Sequence, residues 1–271
     1  MRDFRGKVVV VTGAASGLGR AIALRFAAAG ARIVALDRDP SQLDAFDREL
    51  GAIGTERLAL PVDVTDASAC DTAIAAAVAR FGSIDVLVNN AGISHRSAFA
   101  ATAPEVIRRV VEVNFFGAVN CTHAALPHLL ASRGIIVTMS SVAGFAPLIG
   151  RTGYAASKHA LHGFFESLRT EVAPKGVDVV VICPSFVATG IDRNALGADG
   201  QPVRHAQVVI GERASAESVA DRIFVAASRA EPLVLVGRTA RLAWWVSRLA
   251  PRYYERAMAK KLRGEIDNGR E

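Results

Sequence analysis

The chain has 271 residues, of which 51% are hydrophobic, and this is enough for one large domain with a substantial core. The formal net charge is +6, but residues 238–271 hold nine Lys/Arg against four Asp/Glu, whereas residues 1–237 hold 23 basic and 22 acidic groups. A body that is nearly neutral argues against nucleic-acid binding by the main domain.

Hydropathy and cysteine usage argue against membrane-spanning, secreted and metal-binding proteins. The chain lacks a run of 18 apolar residues, which argues against a membrane-spanning helix, and its N-terminus lacks the apolar stretch of a signal peptide. Its cysteines, Cys70, Cys121 and Cys183, are far apart, odd in number and without metal-ligand spacing. We therefore expect reduced thiols, no metal site and a cytoplasmic location.

Short β-branched runs alternate with longer alanine-rich segments along the body. Seven runs are predicted as strands, the last of them the weakest: Lys7–Thr12, Arg32–Leu36, Arg57–Pro61, Ile84–Val88, Ile135–Met139, Val177–Ile182 and Leu233–Val236. Six segments are predicted as helices: Gly17–Ala29, Pro40–Leu50, Asp66–Phe81, Pro104–Leu130, Gly153–Ala173 and Ala216–Ser228. Continuously apolar strands separated by helices are typical of a parallel sheet covered on both faces. The sequence thus predicts an α/β fold, a single doubly wound Rossmann-type domain over residues 1–237.

A glycine-rich loop follows the first predicted strand and precedes the first predicted helix. It reads Thr12-Gly13-Ala14-Ala15-Ser16-Gly17-Leu18-Gly19. Glycines allow a tight turn and a close approach of backbone to a pyrophosphate, and a helix N-terminus offers unpaired N–H groups. This placement predicts a dinucleotide site, with cofactor contacts at Gly13, Ser16, Gly17, Leu18 and Gly19.

Asp37 ends the second strand, about 20 residues past the glycines. A carboxylate at that place accepts hydrogen bonds from the ribose hydroxyls of NAD and repels the 2′-phosphate of NADP. The neighbouring Arg38 is able to hold that phosphate, so NADP stays open while NAD is favoured. The alternative role of Asp37 is that of a helix N-cap or turn residue.

Two further strand ends carry small or polar residues. Asp63 and Val64 close the third strand, where they face the adenine or form an ordinary turn before the next helix. Asn90, Ala91 and Gly92 follow the fourth strand, where they fit a backbone that lies close to a ribose. The alternative is a turn in which the asparagines bond to neighbouring backbone.

Tyr154 and Lys158 stand four residues apart, so on a helix their side chains share one face. A free tyrosine has a pKa of about 10, and a nearby ammonium favours the phenolate and lowers that pKa toward neutral pH. Such pairs also occur by chance on helix surfaces. The pair therefore indicates acid-base chemistry only in combination with the other motifs.

Taken together, these motifs resemble the short-chain dehydrogenase/reductase family. The resemblance rests on the glycine loop, Asn89-Asn90-Ala91-Gly92, Asn114, Tyr154-x-x-x-Lys158, and Ser141, which stands thirteen residues before Tyr154, and it covers residues 5–236. It implies interconversion of an alcohol and a carbonyl with NAD(P), and a seven-stranded sheet of order 3-2-1-4-5-6-7. It also implies a homodimer or homotetramer that assembles through the two longest helices.

The same resemblance implies four catalytic residues. Tyr154 exchanges a proton with the substrate oxygen, and Lys158 lowers the pKa of Tyr154 and binds the nicotinamide ribose. Ser141 holds the same substrate oxygen, and Asn114 holds a water that leads protons to Lys158. Pro184, Val187 and Thr189 line the nicotinamide, although Ser185 stands where the family usually has a glycine.

Apolar residues near these motifs are expected to form the substrate pocket. Ser141 and Tyr154 face the reacting oxygen, while Phe145, Leu148 and Phe186 supply an apolar wall. A segment from Ala188 to about Arg213 contains Gly190, Gly197, Gly200 and Pro202, so we expect it to act as a mobile lid. These residues favour a small hydrophobic secondary alcohol or ketone over a sugar.

Residues 238–271 form a basic extension with helical periodicity, which Pro251 splits into two helices. Its arginines and its apolar residues fall on adjoining stripes. One interpretation is an arm that packs on its own or a neighbouring subunit. The other is peripheral contact of residues 238–263 with an anionic membrane surface.

Two functions of different class follow. The first is an active NAD-dependent alcohol dehydrogenase or carbonyl reductase. The alternative is a catalytically idle dinucleotide-binding sensor or scaffold, against which the full set of catalytic residue types argues. Turnover that is lost in Tyr154→Phe separates the two.

Overall fold

A computed structural model describes residues 1–191, 194–203, 209, 211 and 213–263. Seven strands form its sheet: β1 (Val8–Thr12), β2 (Arg32–Asp37), β3 (Arg57–Pro61), β4 (Val86–Asn89), β5 (Ile135–Met139), β6 (Asp178–Pro184) and β7 (Leu233–Val236). All neighbours pair in parallel, in the order β3-β2-β1-β4-β5-β6-β7. The predicted fold class and strand order are confirmed.

Nine α-helices lie in the described residues: α1 (Gly17–Ala27), α2 (Pro40–Ala52), α3 (Ala67–Phe81), α4 (Pro104–Val111), α5 (Gly117–Ser132), α6 (Thr152–Val172), α7 (Ala216–Arg229), α8 (Arg238–Leu249) and α9 (Pro251–Lys261). Alternate residues of a strand face opposite sides of the sheet. Val9 and Val11 accordingly pack under α1, α2 and α7, whereas Val8 and Val10 pack under α3, α5 and α6. Both faces of the sheet are therefore covered, which explains the continuously apolar strands.

The predicted helix Pro104–Leu130 is interrupted in the structure. Between α4 and α5 the residues Glu112–Phe116 form a turn of π-helix. Asn114 lies in this turn, where its amide bonds the backbone of Ile93. Apolar periodicity could not reveal the interruption, because it depends on a partner from another part of the chain.

The tail forms the two helices that Pro251 predicts, and they pack on the same chain. Ala240, Ala243 and Tyr254 are buried against Val142 and Ala146. Within the part of the chain that the structure describes, no helix is long and apolar enough to span a bilayer.

The predicted lid is described only in part, since residues 192–193, 204–208, 210 and 212 lie outside the described residues. The described stretch is held at its centre. Leu196 is buried, its N–H donates to Ser94 O at 2.8 Å, and its carbonyl accepts from Arg96 N at 2.8 Å. These backbone bonds join the centre of the stretch to the segment after β4, and the mobile lid stays a prediction.

Candidate active site

A cavity of about 1530 Å³ lies at the carboxyl ends of the strands. It is lined by residues that follow each of β1 to β6. Single ligand sites usually measure about 300–1,000 Å³, so this volume has room for two ligands side by side. Of the residues predicted for catalysis, cofactor and substrate, all but Gly19, Asn114 and Phe145 line this cavity.

The glycine-rich loop turns sharply beneath this cavity. Gly13 and Gly17 have φ values of +61° and +52°, in the left-handed region that favours glycine. Gly19 does not line the cavity, but a Cβ atom there would lie 2.0 Å from the carbonyl oxygen of Gly13. Gly19 therefore allows the start of α1 to pack directly on the loop, which brings the helix N-terminus to the cavity.

The N-terminus of α1 is suited to a negatively charged group. Ser16 is its N-cap residue, yet the Ser16 side chain makes no capping hydrogen bond. The first N–H groups of the helix thus keep their donors directed at the cavity, together with the positive end of the helix dipole. This is the geometry in which proteins hold a phosphate or pyrophosphate.

Asp37 lies at the end of β2 and lines the cavity. Its carboxylate accepts hydrogen bonds from Ala15 N at 3.0 Å and Asp39 N at 3.1 Å. These two bonds fix the carboxylate against the glycine loop, and each of its oxygens keeps a lone pair for a further donor. Asp37 therefore stabilises a turn, as one of its two predicted roles required. The same carboxylate still has the capacity to accept hydrogen bonds from a ribose.

Arg38 and Asp63 lie on the same side of the cavity. The carboxylate of Asp63 accepts hydrogen bonds from Thr65, and these bonds hold its pKa below the usual range, with further help from the charges of Arg38 and Arg109. Asp63 thus forms the turn that the sequence offered as one of two roles. Val64, which is buried next to it, lines the cavity and packs on Gly117.

The segment Asn90–Gly92 is fixed to the glycine loop by Thr12. Thr12 Oγ1 accepts from Asn90 N at 3.0 Å and from Ala91 N at 2.9 Å. The amide of Asn90 donates to the carbonyl oxygens of Thr12 and Gly13. The Nδ2 group of Asn90 therefore joins two strand ends. Thr12 was not among the predicted site residues, although it opens the glycine motif.

Asn114 does not line the cavity but connects two segments that do. It is 1% exposed, and its Oδ1 accepts from Ile93 N at 2.8 Å. Its Nδ2 donates to Ile93 O and to Ser157 Oγ, both at 2.9 Å. The side chain thereby holds the segment after β4 against α6, the helix that carries Tyr154 and Lys158.

Ser141, Tyr154 and Lys158 line the cavity together. Ser141 caps a short 3₁₀ turn, and its Oγ accepts from Ala143 N at 3.2 Å. That bond uses a lone pair of the hydroxyl, so the hydroxyl hydrogen can be donated to an oxygen in the cavity.

Lys158 lies in the interior, 5% exposed, with its Nζ 5.7 Å from the ring centroid of Tyr154. The ammonium donates to Met139 O at 2.7 Å. Burial disfavours the charged form and lowers the pKa of Lys158 to about 8. The lysine is therefore cationic at neutral pH, but much nearer to deprotonation than a surface lysine.

Ser185, where a glycine was expected, does not disturb the chain. Only Arg133 and Ala230 among the described non-glycine residues have a positive φ, so Ser185 needs no glycine-like backbone. After Pro184 the chain runs on past Val187, which bridges to Ala214. Thr189 then lies over the loop, because a Cβ on Gly17 would be 3.3 Å from its Cβ.

The apolar wall differs from the prediction at one residue. Leu148 and Phe186 line the cavity, but Phe145 does not. The ring of Phe145 instead packs edge-on against Trp244, with 4.9 Å between the centroids. Phe145 thus anchors α8 to the body, and the prediction of a pocket role for it is corrected.

The tail helices supply the wall that the sequence did not assign. Leu242 and Val246 of α8 and Tyr253 and Met258 of α9 line the cavity. The apolar stripe of the tail was the sequence feature that could have indicated this role. From the sequence alone, that stripe fitted both packing on a protein surface and contact with a membrane. In the structure the tail packs on its own chain and forms part of the pocket.

Comparisons with known proteins agree with this geometry. Residues 7–199 match a family model described as short chain dehydrogenase. The "Dehydrogenase/reductase SDR family member 7B" proteins of Rattus norvegicus and Bos taurus are 38% and 39% identical over 269 residues, which is 96% of this chain and 83% of each relative.

Solved structures are similar over nearly the whole chain. A short-chain dehydrogenase/reductase from Burkholderia phymatum in complex with NAD superposes with a TM-score of 0.84 at 28% identity, covering 93% of this chain and 96% of that one. A short-chain dehydrogenase from Streptomyces avermitilis gives a TM-score of 0.80 at 30% identity, covering 95% and 98%.

Proposed function

The chain belongs to the short-chain dehydrogenase/reductase family, and we propose that it interconverts a hydrophobic secondary alcohol and its ketone with NAD. The observation that carries the proposal is the shared cavity, where Ser141, Tyr154 and Lys158 lie beside an uncapped helix N-terminus. When bound, the nicotinamide cofactor supplies or accepts the hydride. Positioning, proton transfer and electrostatic stabilisation fall to the protein.

Each catalytic side chain has a separate role in proton transfer to or from the substrate oxygen. Ser141 donates its hydroxyl hydrogen and stabilises the charge that develops there. Tyr154 exchanges a proton with the same oxygen. Lys158 adds a positive charge next to that phenol and favours its ionised form. Asn114 holds the segment after β4 and, through the unused lone pair of its Oδ1, a water on the proton path.

Asp37 supports NAD over NADP. Its carboxylate is fixed at the end of β2 by two backbone N–H groups. A negative charge at that place attracts ribose hydroxyls and repels a 2′-phosphate. Arg38 is exposed and already lies near Asp63. The NAD complex of the Burkholderia phymatum protein is consistent with this preference.

A panel of hydrophobic ketones with NADH tests the reaction. We expect turnover of secondary ketones, and Tyr154→Phe should lower kcat/KM by at least about 100-fold without weakening NADH binding. Tyr253→Phe makes the same chemical change elsewhere in the cavity and should stay near wild type. Tight NADH binding with no turnover of any ketone would instead support the idle sensor or scaffold.

We also propose that the protein is cytoplasmic and associates peripherally with anionic membranes through α8 and α9. Residues 238–263 hold eight basic side chains and one acidic one. Trp245, Leu249 and Tyr253 of these helices are 61%, 78% and 69% exposed, and Tyr253 also lines the cavity. A membrane-bound tail would therefore place the cavity mouth next to apolar molecules in the bilayer.

Vesicle sedimentation tests the membrane contact. The protein should sediment with phosphatidylserine vesicles and not with phosphatidylcholine vesicles. The pair Trp245→Ser and Leu249→Ser should weaken sedimentation, whereas Ile53→Ser, at a residue 56% exposed elsewhere, should not. If the tail variant and the Ile53→Ser control sediment equally, the tail does not mediate membrane binding.

A homodimer or homotetramer is proposed through the helices α4–α5 and α6. Phe99 and Phe116, which flank α4, are 68% and 45% exposed. Burial of such rings between subunits would account for their exposure in a single chain. Size-exclusion chromatography with light scattering should show a dimer or tetramer, and Phe116→Ser should shift it toward monomer.

A further inference from the structure

Arg151 is a buried cation on the wall of the cavity. It is 7% exposed, it lines the cavity, and it stands immediately before α6, three residues from Tyr154. The catalytic scheme above gives it no role. Its position next to the acid-base residue makes it a candidate contact for the substrate itself.

Among the described residues, the partners of Arg151 leave its charge uncompensated. Its Nη1 donates to Ser94 Oγ at 3.1 Å. No carboxylate of the described residues forms an ion pair with it. A guanidinium carries five N–H donors, and removing its charge from water without a counter-ion is costly.

His95, a titratable neighbour of Arg151, supplies no negative charge. His95 is fully buried, and its Nε2 accepts from Gly153 N at 2.8 Å. Burial, together with the charge of Arg151, lowers the pKa of His95 to about 4, so it is neutral. Arg151 is the N-cap residue of α6, so the positive end of that helix lies beside it and adds to the positive potential.

We propose that Arg151 binds an anionic end group of the substrate, a carboxylate or a phosphate, while the apolar part lies along Leu148 and the α8–α9 wall. This deepens the proposed function and rests on it for the identity of the reaction. A planar guanidinium pairs with either anion through two parallel hydrogen bonds. The bound anion supplies the counter-charge that the described protein lacks, so the substrate is an amphiphilic oxo or hydroxy acid or phosphate.

Binding to the NAD-loaded protein tests the anion site without turnover. Isothermal titration calorimetry with decanoate, decyl phosphate and decanol compares two anionic end groups with a neutral one on the same chain. The wild type should bind at least one anion about 10–100-fold more tightly than decanol, as expected for a charge-assisted contact. The tighter of the two anions identifies the end group. Equal affinity for all three ligands would overturn the proposal.

Variants separate anion binding from a structural role of Arg151. Arg151→Gln should reduce anion affinity about 10–100-fold and change decanol affinity less than about threefold. Arg151→Lys should retain part of the anion preference. Arg109→Gln, which removes an exposed cation from the same cavity, should leave it intact. If Arg151→Gln weakens decanol as much as the anions, its role is structural and the proposal fails.

Turnover then links the site to the reaction. A medium-chain oxo acid should be reduced with a higher kcat/KM than its methyl ester, and Arg151→Gln should abolish that difference mainly through KM. Absence of turnover with every ketone would defeat the proposed function while the calorimetric result still decides the anion site. A preference for the ester in the wild type would count against the anion site.

Discussion

Replacement of Lys158 by methionine is expected to stabilise the cofactor-free protein while it removes activity. The lysine has an ordinary pKa of 10.5 and a folded pKa of about 8, and each pH unit between them corresponds to about 1.4 kcal/mol. Holding Lys158 charged in the fold at neutral pH therefore costs about 3 kcal/mol. Loss of the bond from Nζ to Met139 O offsets about 1 kcal/mol. We expect Lys158→Met to gain about 2 kcal/mol at pH 7, or about 4–8 °C in Tm.

The pH dependence follows from which state binds more protons. Between about pH 8 and 10.5 the unfolded lysine is protonated and the folded one is not. Stability of the wild type therefore rises with pH through this interval relative to Lys158→Met. The advantage of the variant should be full at pH 7, shrink above pH 8 and vanish before pH 10.5 is reached, because the lost bond to Met139 O then outweighs the remaining cost of the charge.

Urea unfolding of the cofactor-free protein at several pH values measures this difference. Lys175→Met, at an exposed lysine, serves as the control and should change stability by less than about 0.5 kcal/mol. The variant Lys158→Met should lose at least about 100-fold in kcat/KM. The reasoning is refuted if Lys158→Met is no more stable than wild type at pH 7, or if its advantage is the same at pH 7 and pH 10.

Three further substitutions test the support of the site. Gly19→Ala should abolish NADH binding, because the new Cβ would lie 2.0 Å from the carbonyl oxygen of Gly13. Gly163→Ala, which has open space around it, should instead raise the free energy of unfolding in urea by about 0.5–1 kcal/mol. Asp37→Asn should raise the ratio of NADP to NAD in kcat/KM by about tenfold through loss of charge repulsion, and an unchanged ratio would exclude Asp37 from cofactor choice. Asn114→Ala should cost about 3 kcal/mol in urea unfolding, because it leaves buried backbone groups without a partner. Asn120→Ala, which loses only half-buried bonds from one amide group to Val64 O and Thr65 O, should cost about 1 kcal/mol.

The sequence predicts most of the fold because the signals are local. Apolar strands, helix caps and glycines act over a few residues, and every predicted strand lies within two residues of the observed one. The glycine loop and the Tyr154–Lys158 spacing are local in the same sense. Most of the residues predicted for cofactor binding and catalysis line one cavity because parallel strands all end at the same edge of the sheet.

The remaining features depend on contacts between distant parts of the chain. The π-helical turn at Asn114 needs the backbone of Ile93, and Phe145 turns away from the cavity because Trp244 packs on it. Neither partner is visible in a local pattern. The tail showed only an apolar stripe and a positive charge, which fit both a membrane and a protein surface.

The sequence by itself therefore determined the sheet and the dinucleotide loop, and it supplied the residues that we propose to act on a carbonyl. Only the tertiary structure decided what surrounds these residues, namely the α8–α9 wall and the buried cation of Arg151. The physical reason is that catalytic chemistry needs fixed residue types at fixed spacings. The shape and charge of the pocket arise instead from which distant side chains exclude water together.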